Sequence, residues 1–481
     1  GVRGSSPRLD EGELAQAASR PAKPPAASGA AAATWRHVPR RRASDGERVT
    51  AGVADVAVGD VAGRTVRPSR PAPHALAPPR LWPARRLRRP LRPGAHTDTC
   101  NFCEARKLRT PPEKSRLVAT GTGFDIVRDV MPEDLDTTQA EFRRVPNLFE
   151  IVSYDYWRKN YGYTMPPARR EHMERYLADD AGRAHVLDIV RTRLAASGQD
   201  PDIGEEGLLQ LAPSYFGGGH DVIIARRHYA DGAENTDQLA GSGALTPEEH
   251  YRFIAFTVDS LRDLVEQNTY ARYVVVFQNW LAAAGASFEH LHKQLVAIDE
   301  RGVNAETETA KLRQNLNLYN DWGVNHAFYR NLVIAETDHA ILVAGVGHRY
   351  PTMTVYSKSA ASEPWLHSEA ETRGVSDLLH AAHAATGTQV AANEEWHYKP
   401  VDLDVPMPWR INVKWRISTV AGFEGGTQIY VNTLSPFDVR DRVTATLRDL
   451  RHQGAIAPHI RIAEECTPAP NLLRYNPNLE R

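Results

Sequence analysis

The order of apolar segments between residues 220 and 415 constrains this chain more than any other feature. His220-Asp-Val-Ile-Ile-Ala-Arg-Arg-His228 reads as a strand. Thr246-Pro-Glu-Glu249 then supplies an N-cap, a proline at the first helical position and early acidic residues. The helix it opens should run to about Gln267, with Phe253, Phe256, Leu261 and Leu264 on its apolar side. Arg272-Tyr-Val-Val-Val-Phe277 is a buried strand, and another strand follows after a loop. The order then recurs. Thr352-Met-Thr-Val-Tyr356 is strand-like, Glu369 to Ala385 helical, Trp396-His397 sits in a loop, and Trp409 to Trp415 is a strand. This echo predicts an α+β fold of two duplicated halves, each an antiparallel sheet with helices on one face.

The strand after the first loop carries the chemistry. Gly285-Ala-Ser-Phe-Glu-His-Leu-His-Lys-Gln294 places His290, His292 and Gln294 at alternate positions before the apolar run Leu295 to Ile298. On a strand these three share one face. Two imidazoles and a carboxamide there suit phosphate chemistry or a metal, while the plain alternative is a half-buried strand with a polar outer face. At the equivalent place the second half reads Asn412-Val-Lys414, so only the first half has kept this pattern.

Bulk properties narrow the function classes. The chain has 481 residues, Lys+Arg 58 against Asp+Glu 59, and a net charge of -1. That length favours two or more domains, and the balance gives no reason to expect nucleic acid or a membrane surface as partner. No apolar run reaches the roughly 18 residues that suggest a spanning helix, and the first 25 residues lack an apolar signal region. Residues 1–95 are Arg/Pro/Ala-rich without an apolar period, which predicts disorder. Their opening on Gly1 also fits a misassigned start. The expected divisions are 1–95, a catalytic half at 96–310, a degenerate half at 311–455 and a tail at 456–481.

With Cys 3 in total there is no disulfide framework, and a cytoplasmic setting fits. Cys100 and Cys103 form a CxxC, whose main rival uses are a redox pair and a metal turn. Redox motifs normally open a helix beside a strand. Here the pair precedes Thr110-Pro-Pro-Glu113, so metal binding is the better reading. Thiolates and imidazoles are the donors zinc prefers, but spacing alone does not choose among the histidines.

Taken in order, the motifs resemble those of galactose-1-phosphate uridylyltransferases, the transferase branch of the histidine-triad superfamily. They are Cys100-Asn-Phe-Cys103, Thr110-Pro-Pro-Glu113, Val145-Pro-Asn147 and Gly219-His-Asp-Val-Ile-Ile224 with His228. Phe277-Gln-Asn279, Gly285-Ala-Ser287 and His290-Leu-His292-Lys-Gln294 complete the series. The resemblance spans most of residues 100–300, and more loosely extends to about 450. It implies histidine-triad-like halves and one structural zinc on Cys100, Cys103, His228 and His290. It makes His292 the nucleophile, Gln294 its catalytic partner, and Asn279, Gly285, Ser287 and Asn147 substrate-binding residues. The implied reaction moves a nucleoside monophosphate from a UDP-hexose-like donor to a sugar 1-phosphate through a nucleotidyl-histidine, as in galactose metabolism. Homodimers with sites completed across the interface are common in the family. The alternatives are a phosphorylase of nucleotide sugars or dinucleotides, with phosphate as acceptor, and a non-catalytic nucleotide-binding protein.

Departures from the family pattern bear on the substrate. A second metal site in the family uses a glutamate and three histidines; here Glu308 and His397 are accompanied by Asn412 and Lys414, which predicts no second transition-metal site. Lys414 could then meet a phosphate. Asn432 stands near the family's acceptor-sugar glutamine, the nucleotide-gripping N-terminal arm is not evident in residues 1–95, and Lys293 replaces a usual glycine. Phe288, Glu289 and Lys293 suggest a different phosphate-rich substrate.

Overall fold

A computed structural model describes residues 89–92, 99–121 and 123–479, all within one unit, Leu76–Arg481. The disorder expected for residues 1–95 therefore concerns positions mostly outside the described residues. Arg89 to Arg92 are the exception. Their backbone is tied to the 234–236 loop, with Leu91 N–H donating to Glu234 O at 2.8 Å and Thr236 N–H to Arg89 O at 2.9 Å.

Among the described residues, twelve strands form the architecture. They are β1 (Ser115–Thr120), β2 (Gly123–Arg128), β3 (Ala140–Pro146), β4 (His220–Ala225), β5 (Tyr273–Trp280) and β6 (His292–Ile298). The second set is β7 (Val333–Glu336), β8 (Ala340–Ala344), β9 (Thr352–Ser357), β10 (Ala392–His397), β11 (Arg410–Trp415) and β12 (Arg461–Ile462). All pair antiparallel in one sheet, ordered β12-β7-β8-β9-β11-β10-β5-β6-β4-β3-β1-β2. The fold is α+β, but the two expected sheets are fused through a β5–β10 seam. Outward from that seam the order is β5-β6-β4-β3-β1 on one side and β10-β11-β9-β8-β7 on the other.

The longer helices pack on this sheet or in a lobe beside it. In chain order they are α1 (Pro167–Ala178), α2 (Asp180–Ala196), α3 (Pro247–Gln267), α4 (Gly302–Gln314), α5 (Glu369–Thr386) and α6 (Pro436–His452). Helix α3 starts where the sequence predicts, with Thr246 and Glu249 exchanging side-chain and backbone hydrogen bonds in a capping box. Phe253, Phe256, Leu261 and Leu264 are buried in a core that also takes in Val375, Leu378 and Leu379 of α5. Helix α4 lies on the opposite face, where Glu308 reaches Arg410 of β11, so helices are not confined to one side. Helices α1 and α2 belong to an insertion between β3 and β4 with its own apolar core around Tyr176, Ile189, Val190, Tyr215 and Phe216. That lobe has no counterpart in the expected strand–helix–loop–strand order.

One other expectation changes. Trp396-His397 is not in a loop but ends β10, a central strand. Its polar string Asn393-Glu-Glu-Trp-His397 hides the strand, because Glu394 is buried through an ion pair with Lys293. Residues 456–479 pack back on the body, with Leu473 and Tyr475 buried and Tyr475 Oη donating to Leu316 O at 2.9 Å. Among the described residues no helix is long and apolar enough to cross a membrane.

Candidate active site

Cys100, Cys103, His228 and His290 converge, their ligand atoms all lying within 4.8 Å of one another. Cys100 Sγ is 3.6 Å and Cys103 Sγ 3.7 Å from His290 Nδ1, and Cys103 Sγ is 3.4 Å from His228 Nδ1. A tetrahedron with sulfur at ~2.3 Å and nitrogen at ~2.0 Å has S···N edges of roughly 3.5 Å, so the spacing fits a metal ion. The tautomer fits too. His290 Nε2–H donates to Ala225 O at 2.6 Å, turning the Nδ1 lone pair toward the thiols. Hydrogen bonding between the two thiols pulls Cys100 down to about 2 and pushes Cys103 up, so one proton is held between the two sulfurs. Thr110-Pro-Pro-Glu113 braces this turn. Buried Glu113 takes two hydrogen bonds from Arg116, at 2.8 and 2.9 Å, while Arg143 holds Phe102 O and Thr110 Oγ1.

His292 opens β6 two residues beyond His290 of the candidate metal group. Its Nδ1–H donates to His290 O at 2.7 Å, which leaves the Nε2 lone pair for chemistry. Burial lowers its pKa to about 4, so the ring is neutral near pH 7. The Phe102 ring stands edge-on at 5.1 Å.

Gln294 lies on the same face, oriented by a residue to which the sequence reading gave no role. Ile151 N–H donates to His220 Nδ1 at 3.2 Å, so the His220 proton sits on Nε2 and is donated to Gln294 Oε1 at 3.1 Å. With its carbonyl so occupied, the Gln294 carboxamide turns its N–H₂ group away from His220. Asn147 joins this group, its Nδ2 lying 3.1 Å from His220 Nε2 and 3.5 Å from Gln294 Oε1. Phe149 N–H donates to Asn147 Oδ1 at 3.0 Å, and the Phe149 side chain is half-exposed.

Asn279 is on neighbouring β5, and its Oδ1 accepts from Asn393 Nδ2 at 2.7 Å. Gly285 takes a left-handed φ of +90° that a side chain would strain. Exposed Ser287 lines a cavity of about 810 Å³ with Cys100, His228 and Phe288. Arg89 and Arg92 line the same cavity. No hydrogen bond joins Ser287 to His292 or Gln294 among the described residues.

Lys293 does not face this site. Neighbouring side chains on a strand point to opposite faces, and Lys293 is buried among the helices, paired with Glu394 and 4.9 Å from the Phe253 ring centre. It meets no substrate phosphate. In the second half, Arg410 grips the Glu308 carboxylate at 2.6 and 2.7 Å, His397 Nε2 is 3.3 Å from Asn412 Nδ2, and Lys414 pairs with Glu395 at 2.6 Å.

A four-donor thiol and imidazole group thus abuts a His-x-Gln strand on an α+β sheet, the arrangement expected from the resemblance to the galactose-1-phosphate uridylyltransferases. The chain belongs to the family described as Domain of unknown function (DUF4921), matched over residues 56–475. It is 26% identical over 186 residues to ADP-glucose phosphorylase of Arabidopsis thaliana, a match covering 36% of this chain and 52% of that one. The chain thus spans about half the length of the curated relative it matches. A crystal structure of ADP-glucose phosphorylase from Arabidopsis thaliana with bound ADP-glucose is similar at TM-score 0.48 and 20% identity, covering 72% of this chain and 89% of that one. A uridylyltransferase structure is similar at TM-score 0.39 and 15% identity, covering 48% and 75%.

Proposed function

We propose that this protein is a zinc-containing nucleotidyltransferase that works through a nucleotidyl-His292 intermediate. The observation that carries the reading is the His292 hydrogen bond to its own chain, which holds a neutral ring with Nε2 available. The Nε2 lone pair attacks the α-phosphorus of a nucleotide sugar. The P–N bond forms as the bond to the bridging oxygen breaks, and sugar 1-phosphate leaves. The positive imidazolium keeps its Nδ1–H on His290 O. Gln294 donates an amide N–H to a non-bridging oxygen as charge builds there. An acceptor phosphate oxygen then attacks phosphorus, the P–N bond breaks, and neutral His292 returns.

The other site residues take supporting roles in this reading. Asn279 and the Gly285 to Ser287 loop contact the phosphates or ribose, Asn147 and Phe149 the nucleoside, and Arg89 and Arg92 supply positive charge at the cavity mouth. Zinc on Cys100, Cys103, His228 and His290, about one per chain, anchors the strand carrying His292. Glutamine cannot act as a base for water near neutral pH, which favours an intermediate awaiting another phosphate over hydrolysis.

Similarity to ADP-glucose phosphorylase supports a second reading in which the acceptor is inorganic phosphate. One experiment separates these. The protein is incubated with α-labelled UDP- and ADP-sugars, the acid-labile adduct is trapped, and it is chased with sugar 1-phosphates or phosphate. Adduct formation should vanish in His292→Ala, and the chase names the acceptor. Label uptake unchanged in that variant would overturn the nucleophile. Binding without any adduct would leave a nucleotide-binding protein.

A further inference from the structure

Lys293 and Glu394 are both fully buried, and each sits between two residues whose side chains emerge on the site face. Lys293 lies between His292 and Gln294, and Glu394 between Asn393 and Glu395. The pair bridges β6 and β10 beneath β5, which separates them in the sheet. Its surroundings are closely specified. Lys293 Nζ also reaches Gln278 Oε1 at 3.3 Å, on the strand between. Glu394 Oε1 accepts from Trp396 Nε1–H at 2.6 Å, and Oε2 from His383 Nε2 of α5 at 2.7 Å. Lys293 also lies near the faces of Phe253 and Trp396.

Stability is a poor explanation for this arrangement. Removing two charges from water costs several kcal/mol per ion, and well-packed apolar replacements of a buried pair are often neutral or stabilising. What opposite charges add, and methyl groups do not, is a single preferred partner and so a single register. The register here controls the opposite face. Asn393 Nδ2 donates to Asn279 Oδ1 at 2.7 Å and to Ala284 O at 2.8 Å, while Arg416 Nη1 donates to Asn393 Oδ1 at 2.8 Å. Because β5 pairs with β6 directly, a small slip of β10 would act by withdrawing Asn393 from Asn279 and from the Ala284 carbonyl, leaving the Asn279 carboxamide and the Gly285 loop unheld beside His292.

We infer that Lys293 and Glu394 are positioning residues, an ion pair that fixes the second half against the strand of the nucleophile and so aligns His292 with Asn279. The inference deepens the nucleotidyl-His292 reading and rests on it for its kinetic consequence. Misplacing reacting groups by about 1 Å can cost roughly a hundredfold in rate without removing any group that touches substrate.

The test uses the full chain with its metal, comparing wild type, Glu394→Gln and the double variant Lys293→Met/Glu394→Leu. Four readouts are taken: adduct formation rate, nucleotide KM, melting temperature, and amide hydrogen exchange across residues 273–280 and 392–397. The double variant should fold and keep its bound zinc, with a melting temperature lowered by loss of the Glu394 acceptor for Trp396 Nε1–H and His383 Nε2. Its KM should stay within about twofold, while adduct formation falls roughly tenfold to a hundredfold. Exchange should rise at β5 and β10 and stay unchanged in β7 and β8. Wild-type adduct rate with wild-type exchange at the seam would overturn the inference. If the double variant does not fold, Glu394→Gln is read by the same criteria. If wild type forms no adduct, the nucleotidyl-His292 reading fails on its own, and exchange at the seam alone decides for or against the positioning role.

Discussion

At the scale of single residues, the site is a matter of which nitrogen carries which proton. His292 Nδ1–H and His220 Nε2–H are each set by a backbone partner, His290 O in one case and Ile151 N in the other. Replacing His220 by Ala should therefore free the Gln294 carboxamide to rotate. Adduct formation should drop roughly tenfold to a hundredfold with bound metal unchanged, measured by single-turnover labelling. An unaltered rate would remove His220 from the mechanism, whereas His292→Ala should abolish the adduct altogether. The sequence made His292 and Gln294 legible because their i, i+2 spacing on an apolar strand exposes a face. His220 left no such trace. Its partners are Ile151, 69 residues away, and Gln294, 74 residues away, and a lone histidine in an apolar strand reads as core.

Whole elements carry the next set of consequences. The CxxC turn does more than bring two thiols to the candidate metal group, because Phe102 between the two cysteines packs against both His292 and Phe288, with ring centres 5.1 and 4.4 Å apart. Cys100→Ser should lose the metal and the adduct together, with a lowered melting temperature, as assayed by metal analysis beside labelling. Full activity without metal would refute the coupling. On β10 and β11, burial alone would raise the Glu395 carboxyl, but hydrogen bonding to His397 and the Lys414 ammonium hold it at about 2. A depressed carboxyl stabilises the fold above its unfolded pKa, and that stabilisation is lost as pH falls from about 4.5 towards 2. Melting temperature should thus decline more steeply over that window in wild type than in Glu395→Gln. Parallel curves would remove Glu395 from acid stability. Strand β10 itself was not legible, since Asn393-Glu-Glu-Trp-His397 has charges where a central strand should be apolar. Their partners, Lys293 and Lys414, lie on other strands, so a strand-by-strand reading of polarity fails there.

For the molecule as a whole, the repeated strand and helix order forecast antiparallel α+β units but not their fusion into one sheet, because hydropathy does not say which strand edges meet. The contact between halves is close enough to probe by one atom. A Cβ on Gly243, in the turn before α3, would lie 2.4 and 2.5 Å from the backbone N and Cα of Ala384 in α5. Both neighbours are backbone and cannot rotate away. Gly243→Ala should destabilise by about 2–4 kcal/mol, read by denaturant melts. A change below roughly 0.5 kcal/mol would mean the halves can part at little cost.

The β5–β10 seam also sets an order of events during synthesis. Asn279 and Asn393 are 114 residues apart in the chain yet side by side in the sheet. While the ribosome is still making the second half, β5 has β6 on one flank and nothing to pair with on the other. An unpaired strand edge with Val274 and Val276 on it invites association with other nascent chains. A protein cut after the first half should accordingly depend on chaperones to stay in solution, and the intact chain should complete its catalytic floor only as residues 392–397 arrive.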